Sequence, residues 1–173
     1  MNLPNMLSLA RLLMAPLFAA FFLSEKSEGI YFSAAVLLVS GVTDIADGYF
    51  ARRLGLITRL GKVLDPLADK LMQATVFACL YMKGVIPFFV LALYILKEAL
   101  MLLGGALIIK DGRSVPQSKW YGKLGTTLFY AVCLSLMLFD TAPAVKTAML
   151  SAVIVWAFCC GVFYLISVIR TGG

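Results

Sequence analysis

Six apolar stretches follow one another from one end of the chain to the other, each near the ~20 residues that cross a ~30 Å hydrocarbon core. They run over residues 5–24, 30–51, 62–82, 86–109, 120–139 and 144–169. The breaks between them are short and polar or glycine-containing: Ser24–Gly29, Arg52–Gly61, Lys83-Gly84, Lys110–Lys119 and Asp140–Pro143. In lipid each backbone N–H and C=O has to be satisfied inside its own segment, so such stretches become helices. Only 14% of the residues are charged, where soluble domains carry about 25%. The expected fold is an all-α integral membrane protein, six transmembrane helices in one bundle, forming a single domain over residues 1–173. No internal repeat or low-complexity tract interrupts it. The first apolar stretch is broken by Arg11 and is not followed by an Ala-x-Ala type of site, so no cleavable signal peptide is expected.

Basic residues set the expected orientation. The second break carries Arg52, Arg53 and Arg59 with Lys62 just beyond it. The fourth carries Lys110, Arg113 and Lys119, and Arg170 stands near the C-terminus. The opposite side holds one lysine per break or close by: Lys26, Lys83 and Lys146. Cytoplasmic loops collect Lys and Arg, which predicts cytoplasmic N and C termini in the cell membrane. No nucleic acid is expected among the partners.

There is no histidine, which removes Ser-His triads, histidine-bound metals and histidine general bases. Cys79, Cys133, Cys159 and Cys160 all fall in apolar runs with no zinc spacing, and are expected as buried small hydrophobes.

Against this apolar background stand four aspartates: Asp44 and Asp47 three apart, Asp65 and Asp69 four apart. Acidic side chains at bilayer depth are costly and mark function by default. Spacings of three and four put both acids of a pair on one helix face. The short Arg52–Gly61 connection makes the two helices neighbours, so four carboxylates can converge at the cytoplasmic end. Clustered carboxylates repel, and a hard divalent cation with a preference for oxygen relieves that repulsion. Gly48, Ala51 and Gly61 leave room beside the acids. Arg52 offers a guanidinium suited to a phosphate, and Thr58 a hydroxyl.

The same residues match, without a gap, the pattern D-x2-D-G-x2-A-R-x8-G-x3-D-x3-D, through Asp44, Asp47, Gly48, Ala51, Arg52, Gly61, Asp65 and Asp69. In this the chain resembles the CDP-alcohol phosphotransferase family. The resemblance implies two divalent cations, Mg²⁺ or Mn²⁺, held by Asp44, Asp47, Asp65 and Asp69, with Asp69 also the catalytic base. It implies a CDP-lipid site lined by Gly48, Ala51, Arg52, Thr58 and Gly61. The opening segment Pro4-Asn5-Met6-Leu7-Ser8, ending at Arg11, is similar to one that covers the cytidine in that family, which adds Asn5 and Ser8. The implied reaction moves a phosphatidyl group from CDP-diacylglycerol to an alcohol or lipid acceptor and releases CMP. A homodimer is implied as well, although no interface is written in the chain.

Within the family the chain most resembles the bacterial phosphatidylglycerophosphate synthase branch, through Leu64–Lys70 and Ser118–Thr126. That implies glycerol 3-phosphate as acceptor, contacted by Lys123, Thr126, Lys119, Arg113 and Lys97. Gly125, Phe129, Lys97 and Gly105 depart from the branch's usual lysine, glutamine and two arginines. Arg and Lys are not equivalent at a phosphate, so phosphatidylglycerol, as in a cardiolipin synthase, is the alternative acceptor, followed by serine or inositol phosphate. A cation channel or transporter would also explain intramembrane acids. It leaves Gly48, Ala51, Arg52 and Gly61 at fixed spacing without a reason.

Overall fold

The computed structural model describes the backbone of residues 3–53, 61–110, 120–139 and 141–171, and side chains over 6–44, 46, 64, 66–104, 124–139 and 141–163. Among these residues the protein is all-helical, with no strand. The helices are α1 Leu3–Phe22, α2 Gly29–Arg53, α3 Gly61–Met82, α4 Phe88–Lys110, α5 Trp120–Leu138 and α6 Pro143–Thr171. Each coincides with one expected apolar stretch to within a few residues.

Local chemistry sets the boundaries. Pro4 and Pro143 lie in the first turns of α1 and α6, where a missing N–H costs no helix bond. α3 ends in a Schellman motif: Val85 N–H donates to the Leu80 carbonyl and Gly84 N–H to that of Tyr81, both at 2.9 Å. Gly84 takes φ +68°, the left-handed value this cap requires. Ser33, Thr43 and Thr75 satisfy their hydroxyls on the carbonyls of Ile30, Val39 and Leu71, at 2.9, 2.6 and 2.8 Å.

The described helices fall into two compact units. The first holds α1, α2, α3 and the last turn of α5. In it α1 packs along both α2 and α3. The buried residues of α1 are Ser8, Arg11, Ala15, Phe18 and Phe22, alternating in steps of three and four, the spacing of a packed helix seam. α2 answers with Ser33, Leu37 and Ser40, and α3 with Ala68, Met72, Val76, Phe77, Cys79 and Leu80. Phe18 stacks on Phe22, and Phe21 on Phe32 across the α1–α2 corner, each at 5.4 Å between ring centres. That corner closes on Gly29. A Cβ there would stand 2.5 Å from the Phe21 carbonyl oxygen and 2.6 Å from Ser24 Oγ. Lys83, at the end of α3, donates from Nζ to the Ser24 carbonyl at 3.3 Å and ties the third helix to the same corner.

The second unit holds α4, the rest of α5 and α6. α4 packs against α6, where Met101 lies directly on the backbone of Gly161. Trp156 of α6 lies over Gly125 of α5, 3.5 Å from where a Cβ would stand.

Among the described residues, Pro143–Phe163 is the one segment long and apolar enough to cross a membrane by itself. Met6–Phe22, Gly29–Asp44 and Leu124–Leu138 are apolar over shorter lengths. The other runs are interrupted by charged residues: Asp69 and Lys70 in α3, Lys97 and Glu98 in α4. The six expected stretches are present as six helices.

Candidate active site

The four signature aspartates stand on two helices that share α1 as a packing partner. Asp44 and Asp47 are on the last turns of α2, Asp65 and Asp69 on the first turns of α3. The side chains of Asp47 and Asp65 lie outside the described residues, as do those of Asn5, Gly48, Ala51, Arg52, Gly61 and Lys123. Thr58, Arg113 and Lys119 lie outside them altogether.

Asp44 prolongs the buried stripe of α2. Leu37, Ser40 and Asp44 follow one another in steps of three and four, and the stripe leaves the packed interior at the carboxylate. Arg11, on the facing seam of α1, donates from Nη1 to Asp44 Oδ1 at 2.7 Å. The Arg11 side chain is 0% exposed and that of Asp44 is 32% exposed. A guanidinium taken fully out of water has to be paired. Asp44 supplies that pairing while keeping about a third of its surface open. The sequence placed Arg11 in a segment covering the cytidine. The structure puts its charge on the first aspartate of the signature. Ser8, one turn before Arg11, is buried in the same seam.

Asp69 follows the buried Ala68 and is partly covered. One turn further along α3, Gln73 donates from Nε2 to Asp69 Oδ2 at 3.1 Å. Gln73 is itself 8% exposed. The sequence reading missed this residue. The signal was present: an amide four positions after an acid inside an apolar run, the same spacing that pairs the acids.

The donor chemistry fits a hard divalent cation. The site offers carboxylate oxygens, the chain has no histidine, and Cys79 and Cys133 are buried in apolar seams, while Cys159 and Cys160 on α6, against expectation, are exposed and half-buried. Among the described side chains no three such ligands gather around one point; of the four aspartates only Asp44 and Asp69 belong to that set.

The acceptor-side candidates with described side chains, Lys97 and Thr126, belong to the second unit. Lys97 pairs with its neighbour Glu98 on α4 and lies 5.7 Å from the centre of the Tyr94 ring. Both charged side chains are 15% exposed. Thr126 is half-buried on α5. The two departures on α5 have a packing reason. Gly125 lies under Trp156, so a long cationic side chain there would have to pass the indole. Phe129 is buried and meets Tyr130 edge to face at 5.5 Å.

Comparison with known proteins agrees with the motif. The family described as CDP-alcohol phosphatidyltransferase matches residues 1–166. A CDP-diacylglycerol–glycerol-3-phosphate 3-phosphatidyltransferase of Aquifex aeolicus is 40% identical over 141 residues, covering 78% of this chain and 74% of its own. A cardiolipin synthase (CMP-forming) of Streptomyces coelicolor is 34% identical, covering 98% of this chain and 84% of its own. A second CDP-diacylglycerol–glycerol-3-phosphate 3-phosphatidyltransferase, from Bacillus subtilis, is 31% identical over 137 residues, covering 72% and 70%. With the signature intact and the match running over nearly its whole length, the chain belongs to the CDP-alcohol phosphatidyltransferase family and is an enzyme of that class.

Proposed function

We propose that the protein transfers a phosphatidyl group from CDP-diacylglycerol to glycerol 3-phosphate, giving phosphatidylglycerophosphate and CMP. The single observation that carries this reading is the arrangement of Asp44 and Asp69. Each continues a helix seam, and each has one carboxylate oxygen held by a buried partner. Asp44, Asp47, Asp65 and Asp69 hold two divalent cations, Mg²⁺ or Mn²⁺. When bound, these supply charge neutralisation at the pyrophosphate and at the transferring phosphoryl group. Asp69 takes the proton of the acceptor hydroxyl. The freed oxygen attacks the β-phosphorus, and the bond to CMP breaks. Arg52 grips a phosphate of the donor, while Asn5, Ser8, Gly48, Ala51, Thr58 and Gly61 border the CDP-lipid. Lys123, Thr126, Lys119, Arg113 and Lys97 serve the acceptor. The protein works as one membrane domain of six spans, with both termini and the site on the cytoplasmic side of the cell membrane. The diacylglycerol tails then stay in lipid while the head reaches the ions.

A second reading has its own support. The α5 face at Gly125 and Phe129 is committed to apolar packing, and a relative named cardiolipin synthase covers 84% of its length with this chain. An acceptor with less free phosphate, phosphatidylglycerol, suits such a face. The test is CMP release from CDP-diacylglycerol with Mg²⁺ or Mn²⁺, run separately with glycerol 3-phosphate, phosphatidylglycerol, serine and inositol phosphate. Release with glycerol 3-phosphate alone supports the first reading, and release with phosphatidylglycerol alone supports the second. No metal-dependent release with any acceptor would overturn both.

A further inference from the structure

We propose that Gln73 is a positioning residue for Asp69, fixing one carboxylate oxygen so that the other is presented to the ions and the acceptor hydroxyl. The inference rests on the reading of Asp69 as ligand and base. It deepens that reading by naming what holds the group in place.

The argument begins with helix geometry. Residues four apart on α3 lie one above the other on the same face. Gln73 continues the face of Asp69 into the packed interior, between Met72 and the buried pair Val76 and Phe77. An amide in such a place has a desolvation cost unless its polar atoms are engaged. Its neighbour at i−4 is a carboxylate, an acceptor only when ionised, so the amide turns Nε2 toward it, and the bond is 3.1 Å long. A hydrogen bond to a charged acceptor is about twice as strong as a neutral one, and burial shields this one from competing water. The other oxygen, Oδ1, is buried as well. With Oδ2 engaged by a partner that cannot move without opening the α3 seam, the carboxylate keeps one orientation. Pre-ordering of that kind decides whether a ligand or base is productive, because small misplacements of a reacting group are costly.

The arrangement has a counterpart on the other helix. Arg11 holds Asp44 Oδ1 from within the α1 seam, so each of the two described aspartates accepts a hydrogen bond from a buried partner. Arg11 comes from a different helix and carries charge. Gln73 is local and neutral. It therefore orients Asp69 without cancelling the negative charge that a divalent ion needs.

The test compares Gln73→Met and Gln73→Glu, both close in volume to glutamine, with Asp69→Asn alongside. Purified full-length protein is assayed for CMP release, and Mn²⁺ binding is followed separately by electron paramagnetic resonance in the absence of substrate. Gln73→Met removes the donor and keeps the packing. The expected result is a kcat lower by about 10-fold or more, KM for CDP-diacylglycerol within about 2-fold, and Mn²⁺ affinity lower by a comparable factor, as for other partners that orient metal ligands. Gln73→Glu, which places a second carboxylate against the first, loses more turnover than Gln73→Met. A merely structural glutamine would lower thermal stability and leave kcat per folded molecule and Mn²⁺ affinity unchanged. That result in Gln73→Met would overturn the proposal, and so would wild-type behaviour in both variants. Asp69→Asn separates the two levels. If it stays active, the assignment of Asp69 itself is wrong. If it is inactive while Gln73→Met is normal, only the positioning role is wrong.

Discussion

Arg11 Nη1 reaches Asp44 Oδ1 across 2.7 Å, joining a completely covered guanidinium on α1 to a carboxylate on α2 that is one-third exposed. The pair locks the first helix of the signature onto the N-terminal helix, and makes one aspartate serve two purposes. Its covered oxygen balances a buried charge, and its remaining surface is turned out of the seam.

Removing either partner therefore has two separable effects. Arg11→Met is expected to destabilise the fold by about 2 kcal/mol, below the figure for a fully buried pair because Asp44 is partly solvated. Asp44→Asn weakens the pairing of the buried guanidinium and destabilises by a similar amount, while turnover falls at least ~100-fold. Thermal unfolding in detergent of both single variants and the double variant checks this. Strictly additive losses would mean that the two groups are not coupled.

Asp69→Asn should abolish CMP release, with a loss of about 100-fold or more as for other removed general bases, while binding of CDP persists. Calorimetric titration with CDP beside a turnover assay distinguishes loss of chemistry from loss of binding. Retained turnover would reject Asp69 as the base.

Chelation should stop the reaction and re-addition should restart it. A protein treated with EDTA is expected to release no CMP, and to recover with Mg²⁺ or Mn²⁺, hard cations that suit a donor set of carboxylate oxygens. Turnover persisting through exhaustive chelation would remove the ions from the proposed reaction.

Two glycines at helix contacts should behave differently, because their neighbours differ. At Gly29 an added Cβ meets the Phe21 carbonyl oxygen at 2.5 Å. Backbone cannot step aside, so Gly29→Ala should cost about 1–3 kcal/mol. At Gly161 the neighbour is the flexible tip of Met101, and Gly161→Ala should cost under about 1 kcal/mol, with Met101 changing rotamer. Equal losses at the two sites by thermal unfolding would contradict this account.

On α4, Lys97→Met removes a cation paired with the Glu98 carboxylate, which is 15% exposed, and should lower stability. The double variant with Glu98→Gln should recover most of the stability lost. The Michaelis constant for glycerol 3-phosphate then reports on any acceptor contact. If Lys97→Met leaves it unchanged, Lys97 is an ion-pair partner and no more.

Much of this was legible in the chain. Six apolar stretches gave six helices because in such stretches the backbone has few other ways to satisfy itself. The signature acids were readable because charge inside an apolar run is rare. What the sequence could not give was partnership across helices. Arg11 and Asp44 lie 33 positions apart, and no periodicity links them; only the packing of α1 on α2 brings them together. Gln73 was within reach of the i,i+4 rule, and was passed over because an amide amid apolar residues draws less notice than an acid. On α5 the reason for Gly125 was hidden likewise, since Trp156 approaches from a different helix.

A ribosome completes Arg11 33 residues before it adds Asp44, so α1 emerges carrying a cation whose counter-ion has not yet been made. In the proposed six-span arrangement, an arginine within a lone inserting helix costs up to roughly 2.5–3.5 kcal/mol on the translocon scale. The first two helices should therefore enter the bilayer more readily as a hairpin than in sequence. A nascent chain halted after Phe22 is expected to insert less well than one extended past Asp44, and less well than its own Arg11→Leu variant.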